Sequence, residues 1–206
     1  MEYYTDSPKN ARIENGRLVI TAIKDDDGHQ FTSARMNTKG KFSWLYGRIE
    51  ASIKVPRGKG FDGSFWMMPE DSVYGVWAAS GEIDICEILG KDTTTAHGTL
   101  EYGGQSPKNV HSGSDYTLPS GDFSQEFHLV SLEWEKGVMR WYVDNKLYQT
   151  QTRWHTNAAP FPAPFDKNFH IILNLSVGGK WPGAPDNNTR FPQSMEIEYV
   201  RVYQPQ

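Results

Sequence analysis

Three acids fall within one short stretch, Glu82-Ile83-Asp84-Ile85-Cys86-Glu87, and the residues between them are apolar. The pattern is strand-like. On a regular strand alternate residues share a face, so Glu82 and Asp84 point the same way and Glu87 points to the other side. One extra residue near Ile85 and Cys86, a β-bulge, returns Glu87 to the face of the other two and leaves Ile83 and Ile85 facing a core. Crowded like charges raise at least one carboxyl pKa. Glycosidic bond cleavage requires that split, one carboxylate ionised and one carboxyl protonated. Spacing alone leaves three readings level: such catalysis, a charged edge strand that resists aggregation, or a carboxylate site for a cation such as Ca²⁺.

The elements that must position these acids are strands. Residues 17–23 form one after the turn Glu14-Asn15-Gly16, a hairpin signal. Residues 33–38, 47–55, 64–68, 81–88, 97–102, 127–135, 138–143, 168–177 and 195–203 alternate or are rich in β-branched and aromatic types. Lys136-Gly137 joins two of them, and Asp144-Asn145 starts the next turn. No segment keeps helical periodicity over three turns. Many short strands with Gly- and Pro-rich turns predict a sandwich or closed barrel. With no repeat and no linker, residues 1–206 read as a single domain.

Composition narrows the function. Hydrophobic residues at 37% and charged residues at 22% describe a globular chain, not a disordered one. The net charge of −4 comes without a basic block, which argues against nucleic acid and an anionic membrane surface as partners. No apolar run is long enough to span a bilayer as a helix. The lone Cys86 rules out an intramolecular disulfide; its setting predicts a small buried hydrophobe, not a nucleophile. The first residues do not read as a signal peptide. Aromatics at 13%, with seven Trp, fit either an aromatic β core or sugar-stacking platforms. Trp66 and Trp134 are assigned to the core.

The acidic stretch resembles the E-x-D-x-x-E signature of glycoside hydrolase family 16, in its bulged, laminarinase-like form. The context extends the resemblance. Phe65-Trp66-Met67-Met68-Pro69, Asp71-Ser72-Val73-Tyr74-Gly75 and Trp77-Ala78-Ala79-Ser80-Gly81 lead into the acids. His97-Gly98-Thr99-Leu100, Leu132-Glu133-Trp134-Glu135 and Trp141-Tyr142-Val143-Asp144 follow. Asn174-Leu175-Ser176-Val177-Gly178-Gly179-Lys180-Trp181-Pro182-Gly183 and Tyr199-Val200-Arg201-Val202-Tyr203-Gln204 complete it. The resemblance implies an all-β jelly-roll sandwich of two antiparallel sheets, with a concave substrate cleft. It implies retaining hydrolysis of internal β-1,3 bonds in a β-glucan polysaccharide such as laminarin, extracellular or periplasmic, without a cofactor. By the same resemblance Glu82 is the nucleophile, Glu87 the general acid/base and Asp84 the carboxyl that assists between them. Trp77 would stack on a sugar, Arg35 would line the cleft, and Trp181 would serve a further subsite. Mixed-linkage glucan, galactan and a non-catalytic glucan-binding role are the alternatives. His97 and His111 could be read as metal ligands, but nothing else in their spacing supports it.

Three departures from the family pattern carry expectations. The leading segment that usually precedes the stretch equivalent to residues 2–5 is absent. Its absence predicts an exposed edge along 195–203, open to self-association. It also weakens a structural Ca²⁺ site, of which only the Glu198 ligand is retained. Glu101 stands where relatives carry His; placed in the substrate cleft, it would raise the pKa of Glu87. Asp62-Gly63 replaces a Trp-Pro pair, which would widen or flatten one end of the cleft.

Overall fold

The computed structural model describes residues 1–204. Strands β1 (Tyr3–Tyr4), β2 (Ala11–Glu14), β3 (Arg17–Asp26), β4 (His29–Ser33) and β5 (Arg35–Asn37) come first. Then follow β6 (Gly47–Lys54), β7 (Phe61–Pro69), β8 (Glu82–Leu89), β9 (Thr95–Tyr102) and β10 (Val110–Thr117). The chain closes with β11 (His128–Glu135), β12 (Val138–Val143), β13 (Lys146–Gln151), β14 (Phe169–Val177) and β15 (Gln193–Tyr203). A 3-10 turn at Trp77–Ala79 is the one helical element among the described residues.

Two sheets pack face to face. The smaller runs β10-β9-β8-β7-β14-β5, and the larger β1-β4-β3-β15-β6-β11-β12-β13, with β2 also on β3. All pairings are antiparallel except β1 on β4. The predicted turns are in place. Asn15 and Gly16 have φ of 52° and 78°, and Asp144 and Asn145 of 49° and 62°, the left-handed pairs that two-residue hairpins need. Between the sheets lie Ile20, Ile49, Ile53, Leu132, Trp134 and Trp141 from one side. Phe65, Met67, Ile83, Ile85, Leu100 and Leu175 face them from the other. Burying each such side chain stabilises the fold by about 1.5–3 kcal/mol.

Three expectations need correction. Residues 33–38 are not one strand: Ser33 ends β4 in the larger sheet and Arg35 begins β5 in the smaller, with Ala34 buried between the layers where the chain crosses. The edge expected along 195–203 is shorter. Residues 193–197 pair with β3, and β6 covers the opposite side of the strand. Only 199–203 have a single pairing partner among the described residues. Trp66 is not a core residue. Its neighbour Phe65 is fully buried between the sheets, so alternation turns Trp66 to the outer face of the small sheet, where it is half-buried.

Candidate active site

The bulge sits where the acidic spacing requires it. Between β8 and β9, Asp84 pairs with Thr99 and Glu87 with His97, so Ile85 and Cys86 together oppose Gly98. On the other flank Cys86 pairs with Phe65 and Asp84 with Trp66, which makes Ile85 the extra residue. The carbonyl of Asp84 is free to turn inward, and the indole N–H of fully buried Trp141, on the opposite sheet, donates to it at 2.9 Å. Gly98 makes room for this contact. A Cβ there would strike the Tyr148 hydroxyl and stand 2.6 Å from the Trp141 ring.

Glu82, Asp84 and Glu87 thereby share the outer face of the small sheet. They lie at the junction of two depressions. The larger, about 880 Å³, runs over β9 and β10, past His97, Glu101 and His111 to Trp181. The smaller, about 210 Å³, runs over β7, β14 and β5, past Asp62, Ser64, Trp66, Asn174 and Arg35. Together they form one cleft with the carboxylates in its floor.

The three acids are not equivalent. Burial pushes Glu82 up to about 7; the indole N–H of Trp77, donated at 2.9 Å, opposes the shift, while the charge of Glu101 adds to it. Burial pushes Glu87 up further, to about 8, reinforced by the charges of Asp62, Glu82 and Glu101. No hydrogen bond is donated to Glu87 among the described residues to offset this. Asp84 is buried outright between two carboxyls, and that burial and the charges of Glu87 and Glu82 hold it well above the usual carboxylate range. Glu82 is therefore the most readily ionised of the three, while Asp84 and Glu87 keep their protons.

The remaining predicted residues gather around them. Trp77 reaches Glu82 from a left-handed backbone (φ 54°), a conformation that costs energy in a non-glycine residue. Arg35 is exposed at the mouth of the smaller depression, its guanidinium 4.9 Å from the Tyr4 ring and 5.2 Å from the Trp66 ring. Trp181 is 43% exposed and meets the His97 ring edge-on at 4.8 Å. Glu101 stands directly across from Glu82, its carboxylate accepting from Asn109 at 2.8 Å and lying 2.6 Å from Nδ1 of His111.

Glu198 is held by neighbouring side chains. One oxygen accepts from Ser52 at 2.7 Å and the other from Arg17 at 3.4 Å. No group of three or more His, Cys, Asp or Glu stands ready to hold a metal among the described residues.

Sequence reasoning takes Asp62 only as shaping one end of the cleft and passes over Ser64, Asn174 and the hydrogen-bonded chain that joins them along the floor of the smaller depression. Trp66 Nε1 donates to Asn174 at 2.8 Å, Asn174 Nδ2 to Ser64 Oγ at 3.5 Å, and Ser64 Oγ to Asp62 at 3.2 Å. The signal was present in the alternation of β7, Phe61-Asp62-Gly63-Ser64-Phe65-Trp66, whose even positions share one face.

The family model for glycosyl hydrolases family 16 matches residues 2–201. The chain belongs to that family. Its relatives include glucan endo-1,3-beta-glucosidase A1 of Niallia circulans, 41% identical over all of this chain and 32% of that protein. The glucan endo-1,3-beta-glucosidase of Cryptopygus antarcticus is 39% identical over 98% of this chain and 80% of its own length. The chain thus spans about a third of the first relative and most of the second. Among solved structures, the laminarinase catalytic domain of Thermotoga maritima MSB8 superposes with a TM-score of 0.87 at 43% identity. That match covers all of this chain and 83% of the other. The family 16 sandwich seen in that catalytic domain is the fold described above.

Proposed function

We propose that this family 16 domain is a retaining endo-β-1,3-glucanase, with Glu82 as nucleophile and Glu87 as general acid/base. The observation that carries this reading is the unequal support of the two glutamates on one strand face. Trp77 donates a hydrogen bond to Glu82, whereas Glu87 receives none and is ringed by negative charge. The Glu82 carboxylate attacks the anomeric carbon while Glu87 passes its proton to the departing glycosidic oxygen. The polysaccharide fragment on the reducing-end side leaves with that proton, and a glycosyl ester on Glu82 remains. Glu87, now ionised, takes a proton from water, which attacks the ester and frees Glu82. Asp84, protonated between them, holds Glu82 in place. Trp77 and Trp181 offer ring faces to the sugars, Arg35 and Glu101 their polar heads. A laminarin-type β-glucan is the substrate class that the relatives' names support, and the proposal places its hydrolysis outside the cell.

Reducing-sugar release from laminarin by the parent and by Glu82→Ala tests the reading. Release by the parent and loss in the variant is the expected result. Turnover that persists in Glu82→Ala would remove Glu82 from its role. A parent that cuts lichenan or agarose and leaves laminarin intact would replace the substrate and keep the mechanism.

A further inference from the structure

The floor of the smaller depression has a direction. In the chain Trp66 to Asn174 to Ser64 to Asp62 each residue donates to the next, so the Ser64 hydroxyl proton is committed to Asp62 Oδ1. Ser176 donates to Asp62 Oδ2 at 3.4 Å and shares the same proton with its backbone carbonyl at 3.4 Å. Asp62 is thus an acceptor on both oxygens, the pattern of an ionised carboxylate. Ser64 pairs with Glu87 across β7 and β8, and Asp62 lies two residues further along β7 on the same face. That diagonal is within reach of carboxylate side chains. Both groups line the same depression.

We propose that Asp62 is a positioning residue for the acid step: its carboxylate, fixed by the Ser64 and Ser176 hydroxyls, holds the proton on Glu87. The inference rests on the catalytic reading above. The other charged and titratable groups about this pair are known. Asp84 and Glu82 stand beside Glu87 on β8, His97 and Glu101 face it from β9, Arg35 lies on β5, and Glu2 approaches from the segment before β1. Arg35 stacks on Tyr4 and Trp66, with no carboxylate in ion-pair contact among the described residues. His97 is engaged by Asp115 at 2.7 Å. No salt bridge neutralises Asp62 or Glu87 among the described residues. Burial, tempered by the two serine hydroxyls, brings Asp62 to about 6. At neutral pH it is charged, and after burial itself its charge stands first among the neighbouring charges that raise Glu87.

The test is a carbon-13 titration of the Glu87 carboxyl in the full chain with labelled glutamate, assigned through Glu87→Gln. It is run in the parent and in the near-isosteric Asp62→Asn, with pH profiles of kcat/KM on laminarin beside it. The Glu87 midpoint falls by about one unit in Asp62→Asn. The alkaline limb of kcat/KM falls with it, KM changes little, and Asp62→Glu restores the parent profile. A midpoint that stays within about 0.2 units of the parent overturns the proposal. Should the Asn variant fail to fold, Asp62→Ser gives the same reading. The titration needs no turnover, so an inactive parent would count against the catalytic reading and leave this inference to stand or fall on the midpoint alone.

Discussion

Two carboxylates flank the catalytic strand, one on each side, and they are held in opposite ways. Glu101, on β9, meets the side chain of His111 and an amide of Asn109. Asp62, on β7, meets only hydroxyls. A histidine can share or neutralise the charge it faces; a serine can only orient it. The Asp62 side therefore carries a standing negative charge toward Glu87, while the Glu101 side carries one that its partners can modulate toward Glu82. The same functional group, set one strand away from the same acids, plays two parts because its partners differ.

The change that breaks the comparison altogether is at the shared bulge. Gly98→Ala forces Trp141 and Tyr148 to move, so Glu82 and Glu87 lose their common face and neither flank acts on them. We expect kcat/KM to drop by about 100-fold or more, with about 1–3 kcal/mol of stability lost to overpacking; steady-state kinetics and denaturant melts measure both.

Next is stability against pH. Asp62, Glu82, Asp84 and Glu87 all sit above their ordinary values in the folded protein. A raised carboxyl favours folding fully below its unfolded pKa and loses that contribution as pH rises through the folded value. For Glu87 the window runs from 4.5 to about 8. Glu87→Gln is therefore expected to melt several degrees higher than the parent at pH 9, at about 2–4 °C per kcal/mol, and close to the parent at pH 4. Equal melting points at both pH values would contradict it.

Smaller effects sharpen the contrast. Trp77→Phe removes the donor from Glu82, so the Glu82 carboxyl rises and the acid limb of kcat/KM moves up by about one unit. Glu101→Gln removes a charge that raises Glu82, so the same limb moves down by about half a unit. A Glu101→Gln profile that shifted on its alkaline side alone would erase the distinction between the flanks. His111→Ala is the mildest. Its exposed ring lends Glu101 a pairing of about 0–1 kcal/mol, and the shift it causes should disappear in high salt.

Much of this was legible in the residues. Asn15-Gly16 and Asp144-Asn145 specify their turns because few dipeptides tolerate two left-handed positions. The spacing of Glu82, Asp84 and Glu87 fixes the bulge, since only one extra residue brings three buried acids to one face. Other elements left no trace. Val110–Thr117 is a strand at the edge of the small sheet with one neighbour, and between Val110 and Tyr116 it holds only His, Ser, Gly and Asp, which give little apolar patterning. Ser64, one partner of Asp62, is two residues away on the same strand, but Ser176 comes from β14, more than a hundred residues away, and no local pattern announces it. Trp66 was misplaced by residue type, although its adjacency to Phe65 already required the two rings to face apart.

The bond from Trp141 to the Asp84 carbonyl gives the cleft a hidden dependency. The indole that holds the catalytic register belongs to the far sheet and is sealed from solvent. Opening of that one ring would swing its N–H away from the Asp84 carbonyl, and the acids would lose their alignment while every residue at the sugar-facing surface stayed chemically intact.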